Sequence, residues 1–65
     1  MEVEVDKLVR LRKMRLLTVR ALAEKARVSP NTVWRMEHGK GAHPGTISKV
    51  ARALDVEPAE LVKLD

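Results

Sequence analysis

Thr18 to Glu37 reads TVRALAEKARVSPNTVWRME, and the spacing of its apolar residues decides how the chain folds. Leu22 and Ala26 recur at i and i+4, which puts them on one face of a helix, and Val33 and Met36 recur at i and i+3 on a second. Ala23 faces the crossing helix, where a small side chain lets two backbones approach at a steep angle. Between the two, Ser29 suits the cap of a new helix and Pro30 its first position, where the missing N–H had no partner to lose. The register is that of a helix-turn-helix. Thr18 caps a helix over about 19–26, a second helix runs over about 30–38, and Gly39 is its left-handed stop.

On the N-terminal side, Asp6 is the expected N-cap of a first helix over about 6–15, with Leu8 and Leu11 as its apolar stripe and Leu17 closing the turn. The preceding MEVEV alternates valine with acid; it is read as the ragged start of that helix, with a short strand as the alternative. On the C-terminal side, Gly39, Gly41 and Gly45 all fall in GKGAHPG, so backbone freedom is concentrated in one loop. A fourth helix over about 45–54 buries Ile47, Val50, Ala51 and Leu54. Pro58 starts a last short helix carrying Leu61, Val62 and Leu64. The fold class expected is all-α: five short helices around one core, a single domain over 1–65 with its core at about 6–64. There is no repeat, linker or low-complexity segment.

A chain of 65 residues supplies a core with only a modest margin of stability, which a partner subunit would raise. It has no cysteine, consistent with a reducing cytoplasm, and its two histidines, His38 and His43, lack a ligand set, so neither metal nor other cofactor is expected. No apolar run approaches the roughly 20 residues of a membrane span. Glu2, Glu4 and Asp6 stand where a signal peptide would be positive. A soluble, cytoplasmic protein without membrane association is expected.

The net charge of +4 is unevenly distributed. Residues 7 to 53 hold twelve of the thirteen Lys and Arg and only two acids, Glu24 and Glu37, a net +10, while 1–6 and 54–65 carry −3 each. A basic middle with acidic ends is the footprint of a phosphate-binding surface whose termini point away from the polyanion; a solvated basic face is the plainer alternative.

With this register the chain resembles the lambda-repressor-like, Cro-type (XRE) helix-turn-helix family over about residues 7 to 64. The resemblance rests on Leu11-Arg12, Thr18, Leu22-Ala23-Glu24-Lys25, Val28-Ser29, Thr32-Val33, Arg35-Met36-Glu37 and Gly39-Lys40. It continues through Ala51-Arg52-Ala53-Leu54, Val56 and Glu60-Leu61. It implies a structural ion pair between Arg12 of the first helix and Glu37 at the end of the third, in keeping with Glu37 lying on the inward side beside Val33 and Met36. Three departures stand out. Where the family commonly has glycine near the ends of helices 1, 2 and 4, this chain has Leu16, Arg27 and Asp55; left-handed backbone there would cost on the order of 1 kcal/mol each, Asp least, unless the boundaries shift. Where many members place Gln at the starts of helices 2 and 3, this chain has Val19 and Pro30. Sequence preference therefore does not carry over from relatives.

The resemblance further implies that helix 3 enters the major groove of double-stranded DNA and helix 2 lies across the backbone. The outward face of helix 3 is then Pro30, Asn31, Trp34, Arg35 and His38, the expected base-contacting set. Arg35 suits guanine O6 and N7, and Asn31 adenine N6 and N7; the alternatives are a phosphate contact or solvated charge for Arg35 and a helix-start polar residue for Asn31. Trp34, the only aromatic side chain besides the histidines, either meets a thymine methyl or sugar edge or packs against the flanking loop. Phosphate contacts are expected from Thr18, the N–H groups of helix 2 at Val19 and Arg20, the Arg20 side chain, Thr32, and the loop residues Lys40 and His43.

One recognition helix reads few base pairs, so a symmetric homodimer on half-sites about 34 Å apart is expected. Leu61, Val62 and Leu64 are its expected joining surface, with packing onto the core as the alternative and MEVEV as a second choice. With the sequence ending at Asp65, no appended sensor domain is expected. The function read from these features is a sequence-specific transcriptional regulator acting as a repressor. The alternative is an antitoxin-like or adaptor module that binds a partner protein, a toxin or another regulator, through the same fold. No cysteine, metal set or paired carboxylates in a cleft suggest an enzyme.

Overall fold

The computed structural model describes residues 1–64. Four α-helices, α1 (Val5–Met14), α2 (Val19–Ala26), α3 (Pro30–Glu37) and α4 (Pro44–Ala53), are followed by a 3-10 turn at Pro58–Leu61. The last segment is thus a single tight turn where a fifth helix was expected. A reciprocal cap between Glu57 and Glu60 closes it, and Leu61 seats in the core immediately after.

Local chemistry accounts for the boundaries. Thr18 Oγ1 accepts from Ala21 N–H at 3.0 Å and Ser29 Oγ from Thr32 N–H at 3.1 Å, so α2 and α3 begin on hydroxyl caps. Each of the three prolines, Pro30, Pro44 and Pro58, opens its element, where no N–H is needed. The same rule starts α4 one residue before the expected position. α1 begins at Val5 behind Glu4, so Asp6 lies in the first turn, favourably placed against the helix dipole, and is not the cap.

Leu8, Leu22, Ala23, Val33, Met36, Val50, Ala51, Leu54 and Leu61 are completely buried, and Val3, Ile47 and Val62 nearly so. α2 packs against both α3 and α4, while α1 reaches α3 and the 3-10 turn. Residues 1–4 are not the ragged start of α1, which begins only at Val5. Val3 pairs antiparallel with Val62, Glu4 N–H donates to Leu61 O at 2.8 Å, and Lys63 N–H donates to Glu2 O at 3.0 Å. On its other side, Ala42 N–H donates to Met1 O at 3.1 Å. The first residues thus lie between the C-terminal segment and the glycine loop, with Val3 filling the core.

That pairing also corrects the expected joining surface. Leu61 and Val62 are core residues, 0% and 7% exposed, and only Leu64 of the three faces solvent. Leu16, Arg27 and Asp55 all adopt left-handed backbone, with φ of 57°, 61° and 59°, so α1, α2 and α4 end on left-handed residues that are not glycine. No helix among the described residues is long and apolar enough to cross a membrane.

Candidate nucleic-acid interface

α3 divides sharply into two sides. Val33 and Met36 are fully buried, whereas Pro30, Asn31, Trp34, Arg35 and His38 are exposed. Glu37 turns inward at the end of the helix, where its carboxylate meets Arg12: Nε donates to Oε2 at 2.6 Å and Nη2 to Oε1 at 3.1 Å. The same guanidinium donates through Nη1 to Leu17 O at 2.9 Å. Two-pronged pairing of planar groups satisfies a carboxylate with 7% of its side chain exposed, and it ties the end of α1 to the end of α3. The outward face of α3 is therefore carried on a helix braced from beneath.

On that face Trp34 is 48% exposed, and His38 one turn later stacks on it, ring centroids 3.7 Å apart and planes 14° from parallel. His38 Nδ1 lies 2.7 Å from Trp34 O, a hydrogen bond that needs the proton on Nδ1 and leaves Nε2 outward as an acceptor in the neutral ring. The indole thus stacks on the imidazole at the C-terminal cap of its own helix.

Each flank of α3 opens into a depression. On one side Asn31, Trp34 and Pro30 join Val19 at the start of α2. On the other, Thr32 and Arg35 join Lys40, His43 and Thr46, across the glycine loop and the first turn of α4, with Met1 and Glu2 at the edge. Thr18, Arg20, Lys40 and His43 are exposed. The Val19 and Arg20 N–H groups lie in the first turn of α2, where helix geometry gives them no acceptor. Thr32 is only half-exposed, and its hydroxyl is 2.9 Å from Ser29 Oγ, so its first duty is to the cap. The sequence reading missed the Val19 side chain, Thr46 and the Met1 ammonium, which donates to Ala42 O at 2.7 Å. Gly45-Thr46 after Pro44 was the available signal for Thr46, as a helix start beside the basic loop; the Met1 position follows only from the Val3–Val62 pairing.

A family model described as helix-turn-helix, HTH_3, matches residues 8–61. Among solved structures the chain is similar to an HTH_3 family transcriptional regulator from Vibrio cholerae, with 28% sequence identity and a TM-score of 0.78, covering 86% of this chain and 32% of that one. The chain thus spans about a third of that protein's length. Comparison with curated proteins gives no match. A match over most of the sequence, together with the capped α2–α3 unit, places the chain in the XRE-type helix-turn-helix family, HTH_3.

Proposed function

We propose that this chain is a sequence-specific, double-stranded DNA-binding regulator of transcription that inserts α3 into the major groove. It acts in the cytoplasm as a symmetric dimer on a pseudo-palindromic operator, as a repressor. The observation that carries this reading is the division of α3, with an inward side buried or charge-paired and Asn31, Trp34, Arg35 and His38 left outward beside exposed basic residues. Arg35 reads guanine through a two-pronged contact and Asn31 reads adenine. Thr18, Arg20, the N–H groups of Val19 and Arg20, Thr32, Lys40 and His43 hold the sugar-phosphate strands on either flank. Leu64 is the part of the C-terminal apolar tail left exposed to join two copies, which sedimentation at micromolar concentration tests.

Selection of bound sites from random duplexes, followed by binding at graded salt, tests the reading. Affinity is expected to fall steeply with salt, with a log–log slope of several units. Arg35→Ala should cost about 1–3 kcal/mol of discrimination at one base pair, while Arg20→Ala and Lys40→Ala weaken all sequences alike and lower the slope by about 1 each. Failure to retain any duplex at low salt without a partner protein would overturn it. A second reading, an antitoxin-like or adaptor module, draws support from Met14 and Leu16, which are 70% and 92% exposed and belong to neither depression beside α3.

A further inference from the structure

The Val19 side chain, at the start of α2, has no polar atom to offer a nucleic acid, yet it shares a depression with the three residues of the outward face of α3 nearest to it, Pro30, Asn31 and Trp34. The geometry points to a pocket for the C5-methyl group of a thymine, formed by Val19, Pro30 and Trp34, with Asn31 reading the adenine of a neighbouring pair. This rests on the DNA-binding reading above.

Three of the four lining residues are apolar on a surface whose other exposed residues include Arg20, Arg35 and Lys40. Val19 and Pro30 have side chains without a donor, so the Asn31 amide and the indole N–H of Trp34 are the side-chain donors there. On the far side the indole stacks on the His38 ring at 3.7 Å, and His38 Nδ1 lies 2.7 Å from Trp34 O. A basic surface selects a polyanion, and within the major groove of unmodified DNA the apolar group at a base edge is the thymine methyl. Val19 and Pro30 thus place hydrocarbon at the starts of both helices, beside Trp34.

The test begins from a duplex obtained by selection, in which each thymine in turn is replaced by deoxyuridine, removing only the methyl group. One thymine per half-site is expected to respond, with about a four-fold loss of affinity, the worth of burying one methyl. The response should vanish in Trp34→Ala and shrink in Val19→Ser, a variant that leaves the indole–imidazole stack in place; circular dichroism checks that both fold. Emission from Trp34, the sole Trp in a chain without Tyr or Phe, should shift on binding the selected duplex. Indifference to every substitution, or a response equally large in both variants, overturns the pocket while leaving DNA binding intact. A contact between Trp34 and a sugar edge would show as weaker binding by Trp34→Ala without any deoxyuridine response, and also overturns it. If selection yields no duplex, the DNA reading fails and the pocket with it.

Discussion

The ends of α3 and α1 follow the same backbone path with different residues. At α3, Gly39 is left-handed at φ 76°, Gly39 N–H donates to Met36 O at 3.3 Å and Lys40 N–H to Arg35 O at 2.9 Å. At α1, Leu16 takes that position at φ 57°, with Leu16 N–H to Lys13 O at 2.9 Å and Leu17 N–H to Arg12 O at 3.1 Å. α2 and α4 repeat the pattern through Arg27 and Asp55, with Val28 N–H to Ala23 O and Val56 N–H to Ala51 O, both at 3.0 Å. All are the double-bonded stop that closes a helix with one left-handed residue. The difference lies one residue further on. Leu17, Val28 and Val56 pack against the core, whereas Lys40 is exposed. Where the next side chain is anchored, burial offsets the roughly 1 kcal/mol of left-handed strain in a non-glycine residue. Where it is not, the position is glycine.

Arg12 gives the end of α1 a second fastening that, among the described residues, the ends of α2 and α4 lack, and its removal should cost the most stability. Arg12→Met leaves the Glu37 carboxylate without its partner and frees Leu17 O; about 3–5 kcal/mol of stability should be lost. That is comparable with the whole stability of a domain this small. The Arg12→Met/Glu37→Met double variant should cost much less. Urea denaturation of the four proteins of the cycle checks this, and additive losses would show that the two helix ends are not coupled.

A smaller effect separates two glycines with the same φ of 76°. A methyl at Gly39 meets open space, so Gly39→Ala should cost about 1 kcal/mol of left-handed strain alone. At Gly41 the added carbon would lie 2.9 Å from Met1 O, and the backbone pairing with the N-terminal residues must shift as well. Gly41→Ala should therefore cost about 2–3 kcal/mol. Equal losses by thermal or urea unfolding would mean that the seat of Met1 contributes nothing.

The helix ends also mark how much of the fold is legible in the sequence alone. Thr18, Ser29 and Pro30 act through bonds to their own turn, so α2 and α3 were legible to within a residue. Trp34 was legible as outward because Val33 and Met36 already occupied the inward side. The Val3–Val62 pairing was not, since two valines alternating with acids fit a strand or a fraying helix, and the partner that decides lies at the opposite end of the chain. The same pairing turned Val62 from an expected joining residue into core. The place of the Val19 side chain beside Pro30, Asn31 and Trp34 escaped for a related reason: it comes from the approach of two helix starts, which no single-helix periodicity contains.

Relieving a left-handed stop should instead raise stability, by a smaller amount. Leu16 is 92% exposed, so its side chain contributes almost nothing by burial, while its backbone bears the left-handed strain. Leu16→Gly should relieve that strain, give back part of the gain through the greater freedom of glycine in the unfolded chain, and leave a net increase of about 0.5 kcal/mol. Asp55→Gly should gain less, because Asp tolerates this conformation better than Leu. The anchors Leu17 and Val56 are untouched in both variants, so any change in melting temperature reports the stop residue itself. If Leu16→Gly is instead less stable, the exposed leucine has a stabilising role in the folded chain, and the core anchor does not by itself account for a helix that ends without glycine.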